Sequence, residues 1–164
     1  MPSVPSVQRE SLLLKERKLQ TSFEMPSDSP GFLLWQVTNI WQRKQRAALK
    51  EVDLTHVQFV LLATLAWLTQ EGQEATQVVL SQFAKTDVMM TSQVLRTLAV
   101  KGLLTREEHP VDTRAKVLKV TEAGHDVLER AITLVEKVDR DFFAGLGAES
   151  AQIVALFRRL LSHE

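Results

Sequence analysis

At 164 residues and 45% apolar composition, the chain has the length of one domain and enough apolar side chains to build a core. Cysteine is absent, which excludes disulfides, thiol redox chemistry and cysteine-ligated metal sites. Lys and Arg balance Asp and Glu at 20 each, and no apolar run approaches the ~18 residues that a membrane span needs, so a cytoplasmic protein with no membrane partner is expected.

Residues 1–31 carry four of the five prolines around a short charged segment, Arg9 to Gln20. This reads as an N-terminal arm on a main domain at 32–164. Either it is a loosely packed tail, or Leu12, Leu13 and Leu19 form a helical patch that packs on a partner subunit.

From Gly31 the pattern turns helical: Leu34, Val37, Trp41 and Ala48 trace a stripe that Leu33 and Ile40 widen, while Arg43, Lys44, Arg46 and Lys50 face elsewhere. Asp53 and Thr55 interrupt it, and Thr55 with Gln58 has the spacing of a capping box. The second helix, with Phe59, Val60, Leu61, Leu62, Leu65, Trp67 and Leu68, is apolar on nearly all sides and should be the buried centre. After Gly72, Thr76 is suited to cap a third helix whose inward residues are Val79, Leu80 and Phe83.

A turn over Ala84 to Asp87 leads into a fourth helix with Val88, Thr91, Val94, Leu95 and Leu98 on one face. Its other face carries Met89, Met90, Gln93, Arg96, Thr97 and Lys101, with Ser92 at the margin. Helices three and four have the length and spacing of a helix-turn-helix, whose second helix is suited to a DNA major groove. Gly102 stops it. Leu103 to Glu108 and Ala115 to Val120 are strand-like runs joined by His109 to Thr113, which makes a hairpin. Thr121 then caps a long helix of about 25 residues with Val127, Leu128, Ala131, Ile132, Val135, Val138, Phe142 and Leu146 on one stripe. Gly145 and Gly147 break it, and a terminal helix carries Ile153, Val154, Leu156, Phe157, Leu160 and Leu161. That is more apolar surface than a monomer's last helix would leave open.

Charge is unevenly spread. Residues 88–120 hold six Lys/Arg against three Asp/Glu, and residues 121–164 hold five against eight. The modest positive surplus therefore sits on the reading helix and hairpin, as a nucleic-acid footprint requires.

The segment Leu98 to Arg106, then Asp112-Thr113-Arg114, then Val120-Thr121-Glu122-Ala123-Gly124 resembles the MarR family of bacterial transcription regulators over roughly residues 32–162. The resemblance implies a mainly α fold with a small β-hairpin wing. In it a winged helix-turn-helix lobe, about 55–121, is carried by dimerisation helices at about 32–52 and 122–164. It further implies a homodimer on double-stranded DNA, repressing from a pseudo-palindromic operator. Arg114 would enter the minor groove with Asp112 bracing it, a role that fits the negative potential there. Lys101, Arg106 and Lys116 would add backbone charge. Among the reading residues, Ser92 and Gln93 are the hydrogen-bonding candidates and Arg96 a phosphate contact. Met89 and Met90 stand where the family more often has small polar residues; either they suit thymine methyl groups, or one of them packs inward. The family also commonly takes a small aromatic effector; Trp35, Trp41 and Trp67, with His56 beside them, are candidates for its cleft, or else plain core aromatics. A winged-helix protein-interaction module that lost sequence reading is the alternative.

Chemistry is not indicated. His56, His109, His125 and His163 lie far apart, Asp139 and Asp141 are two apart on a helix, and Glu107 and Glu108 alternate on a strand. No catalytic residue, metal or cofactor is expected, and without cysteine the family's thiol-oxidation branch cannot operate.

Overall fold

A computed structural model describes residues 19–108 and 116–163. The arm's Leu12 and Leu13 and the wing tip, with Asp112 and Arg114, lie outside the described residues. The chain divides into two compact units between Thr38 and Asn39.

The first unit holds a 3-10 turn at Pro26–Asp28 and the start of α1 (Pro30–Leu49). Ser29 opens α1: its Oγ accepts from the Phe32 N–H at 3.3 Å, and Pro30 brings a φ already fixed for a first helical turn. Phe32 and Trp35 stack at 6.2 Å. Leu19 is 92% exposed.

The second unit contains the rest of α1, a 3-10 turn at Lys50–Val52, α2 (His56–Gln70), α3 (Gln77–Phe83), α4 (Val88–Val100), β1 (Leu104–Glu108), β2 (Lys116–Val120), α5 (Glu122–Phe143), a 3-10 segment at Ala144–Glu149 and α6 (Ser150–Leu161). Four helix starts in this unit are fixed by side-chain oxygens. The Thr55–Gln58 box closes with bonds of 3.0 and 3.2 Å. Thr76 accepts from Val79 N–H, Asp87 from Met90 N–H and Thr121 from Gly124 N–H. Each such cap contributes about 1 kcal/mol.

Leu61, Leu62, Leu65 and Leu68 on α2 have no exposed surface, and Leu49, Leu80, Leu95, Leu98 and Leu118 join them in one core. Burial of each such side chain stabilises the fold by about 2 kcal/mol. The hairpin is antiparallel, with Leu104 opposite Val120 and Glu108 opposite Lys116. The link before α3 adds to it, because Leu118 N–H donates to Ala75 O at 2.9 Å.

Three expected core residues are exposed: Trp67 by 46%, Phe83 by 53% and Val88 by 47%. Leu65, Leu68 and Leu80 already fill the inner side, so Trp67 and Phe83 stand against each other outside it, ring centroids 5.1 Å apart. Val88 is the first residue of α4, and Thr91 is the first on that face to be buried. The long helix α5 has 22 residues, and Gly147, at φ 51, interrupts the 3-10 segment after it. Leu33, Leu34, Val37 and Ile40 of α1 are open, as are Val154, Leu156, Phe157 and Leu160 of α6, on which no residue is buried. Among the described residues, no single helix is long and apolar enough to cross a membrane.

Candidate nucleic-acid interface

The turn between α3 and α4 decides how α4 is presented. Lys85 adopts φ 53, and Thr86 N–H returns to Ser81 O at 2.9 Å. Thr91, a polar residue without exposed surface, is satisfied twice: its hydroxyl donates to Asp87 O at 2.7 Å and stands 2.8 Å from that of Thr86. This pins the start of α4 to the turn, since a buried hydroxyl left without partners would cost about 1–3 kcal/mol. The sequence assigned Thr91 inward but gave no sign of this pair.

With Thr91, Leu95 and Leu98 buried, the opposite face of α4 is open. Met89 is 82% exposed and Met90 40%, and Gln93 and Arg96 are exposed beside them. Ser92 is half-buried, and its Oγ accepts from Arg96 Nη2 at 3.1 Å. The most protruding groups on the first turn are therefore apolar.

At the far end Gly102, at φ 72, lets Leu103 N–H reach Leu98 O at 3.0 Å and starts the wing. The wing root is a tight joint. Thr121 N–H donates to Leu103 O at 3.1 Å, and Thr121 Oγ1 donates to Gly102 O at 2.6 Å. A Cβ on Gly124 would lie 2.0 Å from Leu103 O, so only glycine fits there. The two halves of the sequence pattern, Lys101-Gly102-Leu103 and Thr121 to Gly124, are thus in direct contact.

Along the wing, Lys116 Nζ lies 3.0 Å from Glu108 Oε1 and Lys119 Nζ 2.7 Å from Glu107 Oε2, both exposed. Arg106 is exposed on β1 opposite Leu118. Lys101, expected on backbone phosphate, has its ammonium on Asp53, at 2.8 Å from the carboxylate and bonded also to the carbonyl oxygen.

The residues nominated for an effector cleft do not form one group. Trp67 pairs with Phe83, whereas Trp41 meets His56 edge to face, centroids 5.0 Å apart. Trp41 Nε1 and the buried Gln45 Nε2 both donate to Asp139 Oδ1 at 2.7 Å. Burial first, then the Arg46 charge, holds the His56 pKa below its ordinary value, against a smaller raising effect of Asp139. Gln45 Oε1 is buried and has no partner among the described residues. Asp139 was missed at sequence level because its partners lie 98 and 94 residues away. Trp35 is 63% exposed in the first unit. A recess of about 420 Å³ between α2 and α5 is floored by Ala66, Leu128 and Ile132 and does not include these aromatics.

Residues 50–139 match the family model for the ArnR1-like winged-helix domain. The chain is 44% identical over 144 residues to an uncharacterized HTH-type transcriptional regulator, YdcH, of Bacillus subtilis (strain 168), covering 88% of this chain and 97% of that one. It is 28% identical to the transcriptional regulator HosA of Escherichia coli O111:H-, over 67% of this chain and 79% of the relative. Among solved structures, a mutant of MarR from E. coli complexed with operator DNA superposes with a TM-score of 0.73 at 24% identity, covering 85% and 99% of the two chains. Bordetella bronchiseptica BpsR, whose DNA binding is regulated by 6-hydroxynicotinic acid, superposes with a TM-score of 0.75 at 23% identity, covering 85% and 97%.

Proposed function

The chain is a winged-helix transcriptional regulator of the MarR family, and from that premise we propose that it acts as a homodimeric repressor on a pseudo-palindromic operator. The open face of α4, set against the buried Thr91, Leu95 and Leu98, is the observation that carries this reading. Met89, Met90, Ser92 and Gln93 face the bases and Arg96 a phosphate. Arg106 and Lys116 add backbone contacts, and Asp112 with Arg114 serves the minor groove from the wing tip. The open apolar stripes of α1 and α6 support the dimer, which places two reading helices about 34 Å apart, one turn of DNA. Such a regulator works in the cytoplasm.

Release by a small aromatic effector is part of the proposal. Its support is the Trp41, His56, Gln45 and Asp139 group, where an unpaired buried amide oxygen would accept a donor from a ligand. A ligand acts by favouring a dimer whose helix separation no longer fits the operator.

Selection from a random duplex library tests the function. Enrichment of a two-fold related motif is expected. Binding that is weak, steeply salt-dependent and free of any motif would point instead to a protein-interaction module, which the zero net charge and the protruding Met89 favour.

A further inference from the structure

We propose that Lys101 is a positioning residue that fixes the reading helix against the end of α1, rather than a cation for the DNA backbone. The inference rests on the operator-binding reading above. Lys101 caps the C-terminus of α4, its N–H on Thr97 O at 3.0 Å. Its ammonium crosses 48 residues of sequence to Asp53, using one proton on the carbonyl and another on the carboxylate at 2.8 Å. Asp53, at φ 52 and ψ 41, is the left-handed cap of the turn that follows α1. Aspartate tolerates that conformation better than most residues. A helix C-terminus carries partial negative charge, so an ammonium placed there is favoured by the backbone as well as by the carboxylate. One cation thus joins the C-terminal ends of two helical segments.

Commitment of the ammonium's donors separates this role from phosphate binding. The Lys101 side chain is 28% exposed, whereas that of Asp53 is 95% exposed. Lys101 is still exposed as a residue, but its side chain is the more covered of the two and two of its three donors are committed. If α1 belongs to the dimer, the Asp53–Lys101 contact transmits the dimer geometry to the reading helix.

Charge alone and positioning predict opposite results for one variant. Asp53→Asn removes an anion, which should raise affinity for DNA if only charge counts; as a strut, its loss should lower affinity. The full-length chain, Asp53→Asn, Lys101→Met and the double variant are titrated on the selected operator across a salt series. Each single variant should bind roughly three- to tenfold more weakly, in the range of coupling residues. The double variant should be no worse than the weaker single one, and the salt slope should not change. Adding one base pair between half-sites should penalise the wild type more than either variant, because the variants no longer hold the helix spacing.

An Asp53→Asn variant that binds as tightly as wild type or tighter would overturn the proposal. So would a Lys101→Met variant whose salt slope falls by about 1, the signature of a lost phosphate contact. If the wild-type chain selects no operator, the operator reading fails and the same four proteins are compared by urea unfolding. Non-additive stabilities then uphold the joint, and additive ones remove it.

Discussion

Replacing Gly124 by alanine tests the joint between wing and long helix. The new Cβ would lie 2.0 Å from Leu103 O, 2.8 Å from Val120 Cγ1 and 3.0 Å from Leu103 C. Carbon and carbonyl oxygen sit comfortably at about 3.3 Å, so the carbonyl must retreat by roughly 1.3 Å. It cannot move alone, because it accepts the N–H of Thr121, whose hydroxyl in turn caps α5. Overpacking of this kind costs about 3 kcal/mol, at the upper end because backbone rather than a flexible side chain stands in the way. Gly124 lies within α5, where alanine regains about 1 kcal/mol of helix propensity. The net loss is about 2 kcal/mol, or a fall of about 4–8 °C in Tm for a chain of this size. Far-UV circular dichroism during heating measures it. A Tm at or above wild type would refute the clash, since propensity would then have won.

Lys85→Gly should stabilise the protein by up to about 1 kcal/mol, since a side chain at φ 53 costs about 1–2 kcal/mol and glycine returns part of that as backbone entropy; urea midpoints for Lys85→Gly and Lys85→Ala check it, with no gain expected for alanine. His56 resists protonation in the folded state, so the unfolded chain binds the proton first as pH falls. Stability from this group is therefore full above 6.5, the ordinary value, and declines as pH drops through 6.5 towards the lower folded pKa. Unfolding at about pH 7.5 and about pH 5.5 should show a smaller loss in His56→Gln than in wild type, and equal losses would count against the assignment. Met89, if it reads a thymine methyl, should make binding weaken about fourfold when thymine is replaced by uracil in the selected half-site, the worth of one buried methyl group. Met89→Ala should be indifferent to that exchange; a wild type that is itself indifferent would refute the contact.

The capping residues Thr55, Thr76 and Thr121 were legible because a cap is a local signal, an oxygen followed by a helical period. The hairpin was legible for the same reason, from two strand-like runs and a polar connector. Trp67 and Phe83 were misplaced because periodicity gives a face and not its depth: Leu65, Leu68 and Leu80 filled the interior first; Val88 was misplaced because it is the first residue of α4, before that face is buried at Thr91. The contacts of Asp53 with Lys101 and of Asp139 with Trp41 and Gln45 join positions 48, 98 and 94 residues apart, and no local pattern encodes such a pair. At the interface, the exposure of Met89, Met90, Gln93 and Arg96 follows from the buried stripe opposite, which the sequence set out correctly from Thr91 onward.

The zero net charge takes on a different meaning once the pairing is known. Of the six cations between residues 88 and 120, Lys101, Lys116 and Lys119 hold Asp53, Glu108 and Glu107. The positive surplus of this stretch is therefore partly masked, because three of its six cations are held by carboxylates. The two wing pairs are exposed and worth about 0–1 kcal/mol each, so a phosphate can displace their carboxylates at little cost. Away from an operator, however, Glu107 and Glu108 repel any backbone that approaches without matching contacts. On the operator-binding reading this lowers non-specific affinity more than specific affinity, and it is the ratio of the two that selects a site among many competitors. On the same reading, specificity rests on short-range fit at the first turn of α4, where the protruding groups are methionines rather than cations.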